Sequence, residues 1–304
     1  MKLTKIASMV MTSATVLSTV AVATPAIIQA RTQEGNAEMN GGKALPDTNH
    51  SRVGITFGES NPNPNPDNPN KPDNPNKPDD GRGYLRLQHV PEVLDFGSHT
   101  AFNSANSVFT AAGTNLNNTS NDTNKGYAGA DNKTPKLTTT DPKLSVMNGK
   151  TWVTVVDKQT NRTTTDDKND LYSGDWQLSV KADGPLTTGS GASAKTIAGA
   201  TLAFNNTAVG TVTTPFSITH DMVDSGVSAP NSVAATTTKN FSVNLVANSA
   251  AVQFATASPV PDSGGAAVFA WDPSDIKLTL PASASVDAGT YTTSLTWTLS
   301  TGIQ

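Results

Sequence analysis

The chain contains no cysteine. That excludes a disulfide framework, thiolate metal sites and any cysteine nucleophile, so the fold must rest on burial and backbone hydrogen bonds. Charge is also scarce. Asp, Glu, Lys and Arg make up 15% of the residues, against about a quarter in an ordinary globular chain. The formal net charge of −4 offers no basic field for nucleic acid or anionic lipid, so neither is expected as a partner. Beyond residue 30 no amphipathic helix of three turns can be found. Thr, Ser, Asn, Ala and Gly fill the gap. Thr favours strands, while Asn and Gly favour the turns between them, which suits an all-β domain with long polar loops.

Lys2 and Lys5 precede an uncharged run from Ile6 to Ile28, followed by Gln29, Ala30 and charged Arg31. A basic start, an apolar middle and a small-residue end describe a secretory signal peptide over 1–30, cut after Ala30 or, as second choice, Ala23. The run is long enough to span a bilayer, but Thr12, Ser13, Thr15, Ser18, Thr19, Thr24 and Pro25 dilute it. No membrane insertion is expected once it is removed. A polar, mobile segment over 31–51 is expected next, then a strand over Val53–Phe57, where Val53, Ile55 and Phe57 alternate with Gly54 and Thr56. Residues 61–80 carry prolines at 62, 64, 66, 69, 72, 75 and 78, and Asp-Asn-Pro-Asn-Lys-Pro occurs at 67–72 and again at 73–78. Such a tract cannot form a helix or a central strand; it reads as an extended polyproline-like spacer.

The body, from Gly83 onward, alternates short strand patterns with turn residues. Candidates are Trp152–Val156, Trp176–Val180, Thr201–Asn205, Val209–Thr213, Phe241–Leu245, Val252–Ala255, Ala267–Trp271, Ile276–Leu280 and Tyr291–Ser300. Two contain a Trp-x-Leu triplet. From Tyr291 to Leu299 the odd positions read Tyr, Thr, Leu, Trp, Leu and the even ones are all Thr or Ser, the period-2 pattern of a strand with one buried and one wet face. Trp176, Leu178 and Val180 likewise alternate with Gln177, Ser179 and Lys181. Asp287-Ala288-Gly289-Thr290-Tyr291 has the spacing of a tyrosine corner, in which a buried phenol bonds back to loop backbone. The fold class expected is an antiparallel, Ig-like β-sandwich.

These pieces together resemble the WxL domain of Gram-positive cell-surface proteins. The resemblance rests on the leader, the early strand before a Pro-rich stretch, and Val90-Pro91-Glu92-Val93-Leu94-Asp95-Phe96-Gly97. It continues through Val153-Thr154-Val155-Val156-Asp157, the triplet at Trp176, and the terminal Gly-Thr-Tyr…Leu-Thr-Trp-Thr-Leu. Lys158 and Gln159 follow Asp157 where many members carry an Arg shortly after. The resemblance implies a domain over 52–304, with 61–80 as an excursion between two of its strands. It implies a secreted protein held non-covalently at the cell wall, with peptidoglycan or another wall polymer and other wall-associated surface proteins as partners. Ser300–Gln304 shows neither an apolar tail nor a covalent wall-sorting motif, which fits that mode of attachment.

The motif residues Trp176, Leu178, Trp297 and Leu299 admit two readings. Either the indoles are core residues of paired strands, or one exposes a face for stacking on a sugar; the wet Thr and Ser face opposite favours the core. No enzyme, no cofactor and no metal are expected. His50, His89, His99 and His220 lack metal-ligand spacing, and the adjacent pairs Ser98-His99 and His220-Asp221 point to opposite faces of a strand, so solvated surface is the expectation for each. Gly189-Ser190-Gly191 is not a nucleophile elbow. Asp166, Asp167 and Asp170, with Asn161 and Asn169, do not match a calcium-loop spacing and read as a polar loop. The competing function is a surface adhesin or structural subunit, touching host extracellular matrix and held at the wall by a partner protein.

Overall fold

In the computed structural model the described residues are 45–57, 84–159 and 175–301. The leader, the proline tract and the Asp166, Asp167, Asp170 cluster fall outside them. In chain order the strands are β1 (Asp47–Phe57), β2 (Leu85–His89), β3 (Val93–His99), β4 (Val108–Thr110), β5 (Thr151–Asp157) and β6 (Trp176–Ala182). Next come β7 (Leu186–Thr188), β8 (Lys195–Ile197), β9 (Thr201–Phe204), β10 (Ala208–Val212), β11 (Asn231–Ser232) and β12 (Ala234–Thr237). The last are β13 (Phe241–Asn244), β14 (Val252–Ser258), β15 (Ser263–Trp271), β16 (Ile276–Thr279) and β17 (Gly289–Ser300). All nine strand patterns of the body appear, with ends shifted by a few residues.

Three sheets result. The first has the order β12-β14-β6-β17-β1-β3, with β7 and β8 appended beside β17. The second is β10-β15-β5-β2 with β11 against β15, and the third is β13-β9-β16-β4. The all-β, sandwich-like architecture read from the sequence is the one found. It adds a third sheet, and two of its strand pairs, β1 with β3 and β11 with β15, run parallel. β1, which precedes the proline tract in the sequence, belongs to the first sheet, and β2, which follows it, to the second.

The strand expected over Val53–Phe57 starts six residues earlier, at Asp47, and Leu45 is buried just before it. Residues 45–51, assigned to a mobile polar segment from the sequence, therefore lie in the fold. Hydropathy misses them because their inward positions are polar: Asp47, Asn49 and Ser51 are buried. Each is satisfied. The Leu87 N–H donates to Asp47 Oδ2 at 2.7 Å, the His50 N–H donates to Asn49 Oδ1 at 2.8 Å, and the Ser51 hydroxyl donates to the Pro91 carbonyl.

One continuous core joins the three sheets. It takes Val53, Ile55, Leu178, Val180, Leu295 and Leu299 from the first sheet. Val153, Val155 and Phe269 come from the second, and Leu202, Phe204, Val243 and Leu278 from the third. The second sheet is apolar on both faces. On its far side Trp152, Val156, Ala266, Val268 and Ala270 pack under Leu137, Leu144, Met147 and Ile218. This explains why β15 is buried along its whole length and reads as an unbroken small-apolar run instead of an alternating one.

Candidate functional site

The two Trp-x-Leu strands are hydrogen-bonded neighbours. β17 runs antiparallel to β6, with Leu299 opposite Leu178 and Trp297 opposite Val180. Trp176, Leu178, Trp297 and Leu299 all face the same interior and are fully buried. Burying an indole leaves an N–H that must find an acceptor. Trp176 Nε1 donates to Asp157 Oδ2 at 2.9 Å, and Trp297 Nε1 donates to the Ser51 hydroxyl oxygen at 2.8 Å. Asp157 also accepts the Gln159 N–H at 3.1 Å. Each tryptophan thus ties its strand to another part of the fold, Trp176 to the end of β5 and Trp297 to β1.

Around them lies an aromatic nucleus fed by all three sheets. Trp297 meets Phe204 edge-on at 5.9 Å and Phe254 at 5.7 Å, with Trp271 at 6.4 Å. Trp176 meets Phe269 at 6.2 Å, and Phe241 stacks between Phe204 and Phe254 at 4.8 and 4.7 Å. Such pairs contribute about 0.5–1.5 kcal/mol each beyond their buried area. Phe254 reaches this nucleus through a bulge. The register of β14 on β6 slips between Gln253 and Ala255, which turns Phe254 and Ala255 inward in succession.

The opposite face of the same strands is wet. Across β12, β14, β6 and β17, Thr236 lies opposite Thr256, Thr256 opposite Gln177, and Gln177 opposite Ser300. The next rung reads Gln253, Ser179, Thr298, Thr48, and the one after it Lys181, Thr296, His50. Thr48, His50, Lys181, Thr236 and Gln253 are exposed, and Ser179, Thr256, Thr296 and Thr298 half-buried. Gln177 and Ser300, in the first of these rungs, are buried, and towards the β3 side the Tyr127 ring lies over Gly54, where a Cβ would sit 2.7 Å from that ring. The open part of the face presents Thr and Ser hydroxyls and the Gln253 amide, backed by the aromatic core.

A family model described as "WxL domain surface cell wall-binding" matches residues 44–302. The chain belongs to the WxL family. No curated protein and no solved structure matches it. The family is one of wall-binding surface domains, so the protein attaches at the cell surface.

The WxL match covers segments whose local chemistry the geometry explains. Asp95 of Asp-Phe-Gly is fully buried, and its carboxylate accepts the N–H groups of Gly97, Tyr127 and Lys133, each at 2.9 Å. Its own carbonyl accepts Asn132 Nδ2 at 2.8 Å, so one side chain and one peptide organise the loop over 126–134. Burial pushes this carboxyl above its usual range, while the three N–H groups and the Lys133 charge pull it back. Gly97 has φ +83°, and a Cβ on it would lie 2.4 Å from the Gly113 carbonyl oxygen. That left-handed residue forms the bulge by which β3 keeps step with β1. Tyr291 is buried and its phenol oxygen accepts the Asp287 N–H at 3.2 Å, the geometry of a tyrosine corner.

The histidines are not uniformly surface groups. His99 is fully buried, with Nδ1 2.8 Å from Asp122 Oδ1, Nε2 2.7 Å from the Phe96 carbonyl oxygen, and Phe109 at 4.7 Å. Solvated surface was the wrong reading of it, because its carboxylate partner lies in a distant loop. His89 stacks on Trp152 at 3.8 Å, and burial lowers it to about 4, against the opposing effect of the Trp152 carbonyl. His50 and His220 are exposed. Arg86 and Asp224, both buried, pair at 2.5 Å, with Lys158 Nζ 3.0 Å from the other carboxylate oxygen. Burial would raise Asp224, but hydrogen bonds from Arg86, Thr219 and Lys158 and the Arg86 charge outweigh it and hold the carboxyl below its usual value. Among the described residues no three His, Asp or Glu side chains are grouped to hold a metal ion.

Proposed function

We propose that the chain is exported, loses residues 1–30, and holds non-covalently to peptidoglycan through the open hydroxyl face of the first sheet. The observation that carries this reading is the in-register array on β12, β14, β6, β17 and β1. Its hydroxyls and amides stand on paired strands, so few degrees of freedom are lost when a ligand settles on them. Each hydroxyl both donates and accepts, which suits a polyhydroxylated polymer. Trp176, Leu178, Trp297 and Leu299 act from beneath by fixing the two strands that form the centre of the array. Recognition, without chemistry, is the role assigned.

Sedimentation of the purified protein with protein-free cell walls tests attachment. Pelleting with bare walls supports it. Retention only after other surface proteins are restored favours the adhesin or complex-subunit reading, and pelleting in neither case refutes both. Thr298→Arg places bulk in the middle of the array. It should abolish pelleting and leave the melting temperature unchanged; wild-type pelleting by this variant would remove the face from consideration.

A further inference from the structure

β3 borders the first sheet, so its outer edge would present a row of unpaired N–H and C=O groups. The segment over 121–125 covers that edge. The Ser98 N–H donates to the Lys125 carbonyl at 2.9 Å, the Thr123 N–H to the Ser98 carbonyl at 3.0 Å, and the Thr100 N–H to the Asn121 carbonyl at 2.9 Å. One side-chain contact pins the segment from within. His99 and Asp122 bridge through their backbones and are both buried. His99 Nδ1 lies 2.8 Å from Asp122 Oδ1, and Nε2 lies 2.7 Å from the Phe96 carbonyl oxygen. The two Asp122 oxygens also accept the Asn115 N–H, at 3.0 and 3.2 Å. Phe109 from β4 and Phe57 from β1 close the ring in at 4.7 and 6.0 Å. Among the described residues Asp122 is the only charged group paired with this ring.

Both ring nitrogens thus face acceptors. A carbonyl oxygen and a carboxylate accept hydrogen bonds and donate none, whereas a neutral imidazole has one N–H and one lone pair. Whichever nitrogen kept the hydrogen, the other would turn its lone pair on an oxygen in a site closed to water. An imidazolium satisfies both contacts. We infer that His99 and Asp122 form a proton-dependent clasp that keeps the outer edge of β3 closed. When base removes one ring proton, either the contact with Asp122 or the contact with Phe96 becomes repulsive, and the 121–125 segment comes away from the edge. Closure is complete while the ring is charged and is lost as the pH rises.

Two measurements on the intact protein test the clasp. Ring-nitrogen NMR spectra report which nitrogens of His99 carry hydrogen. Hydrogen exchange, corrected for the intrinsic rate at each pH, reports the protection of the Ser98, Thr100 and Thr123 amides. Both are followed from about pH 5 to about pH 9, the range in which imidazole titrates in proteins. Hydrogen on both nitrogens is expected at the acid end. Loss of one should coincide with a roughly 10–100-fold fall in protection of the three amides, the worth of one hydrogen bond to a charged group. In Asp122→Asn the new Nδ2 can donate to an unprotonated Nδ1 while Oδ1 accepts from Asn115. A neutral ring then stays bound, and protection should no longer fall with pH. A ring with a single N–H at every pH overturns the proposal, as does one that keeps both to the alkaline end. Unchanged protection when one hydrogen is lost, or a pH dependence in Asp122→Asn equal to that of wild type, overturns it too. The wild-type spectra decide the matter even if Asp122→Asn does not fold.

Discussion

Replacing Trp297 with alanine should unfold the protein more readily, not merely blunt its binding. The indole is fully buried among Phe204, Phe254 and Trp271, and its N–H is the donor to Ser51. An indole removes about 200 Å² from water, which at about 25 cal/mol per Å² corresponds to roughly 5 kcal/mol. Measured Trp→Ala losses in cores fall at about 3–5 kcal/mol, since the cavity relaxes in part. For a domain of this size each kcal/mol moves the melting point by roughly 2–4 °C, so a fall of roughly 6–20 °C is expected. Trp297→Phe keeps most of the ring contacts and loses the bond to Ser51, so it should lie between wild type and alanine. Circular dichroism melts, with wall sedimentation performed well below each variant's midpoint, measure both quantities. If Trp297→Ala melts with wild type but no longer pellets with walls, the ring contacts ligand and the reasoning from burial fails.

Asp95→Ala strands three backbone N–H groups and should cost about 3–9 kcal/mol in urea unfolding, at about 1–3 kcal/mol per orphaned donor; a loss below 1 kcal/mol would show that the 126–134 loop does not depend on it. His89 should govern mild-acid sensitivity. Its folded value of about 4 lies below the free value, so its contribution is complete above about pH 6.5 and drains away as the pH falls towards 4. His89→Phe should flatten stability across that window, and an unchanged slope would contradict it. Asp224 is likewise held low, so its contribution is present above about pH 3.9 and lost as the pH drops through the folded value. Asp224→Asn should erase that last limb and cost about 3–5 kcal/mol at neutral pH by taking the carboxylate from a buried guanidinium, read by denaturant titration at each pH. Tyr291→Phe should cost only about 0.5–1.5 kcal/mol, the worth of one hydrogen bond, and a melting point more than 10 °C lower would show that the corner does more.

The alternating strands were legible because burial of one face leaves a period of two, and the tyrosine corner because five residues close on themselves. What stayed hidden depends on partners far along the chain. Asp47, Asn49 and Ser51 look like loop residues until Leu87, Pro91 and Trp297 are placed beside them. β4, β7, β8 and β11 are two or three residues long, too short to show a period, and β12 is Ala-Ala-Thr-Thr, with no large apolar residue to mark a face. His99 reads as surface until the loop holding Asp122 folds over it. For the open face, patterning shows that Thr and Ser point outward from each strand. Only the register shows that Lys181, Thr296 and His50 fall on one line.

β1 and β17 pair along the whole of β1, with Asp47 opposite Leu299 some 250 positions later. A polypeptide delivered from its amino end, by a ribosome or through a membrane pore, presents β1 long before its mate exists. Contacts of such separation form slowly, and β6, β1 and both indoles must wait for the same late segment. Removing the dozen residues from 289 to 300 would not trim an end. It would pull the middle stave from the sheet and leave both neighbours with open edges, inviting them to pair with other chains instead.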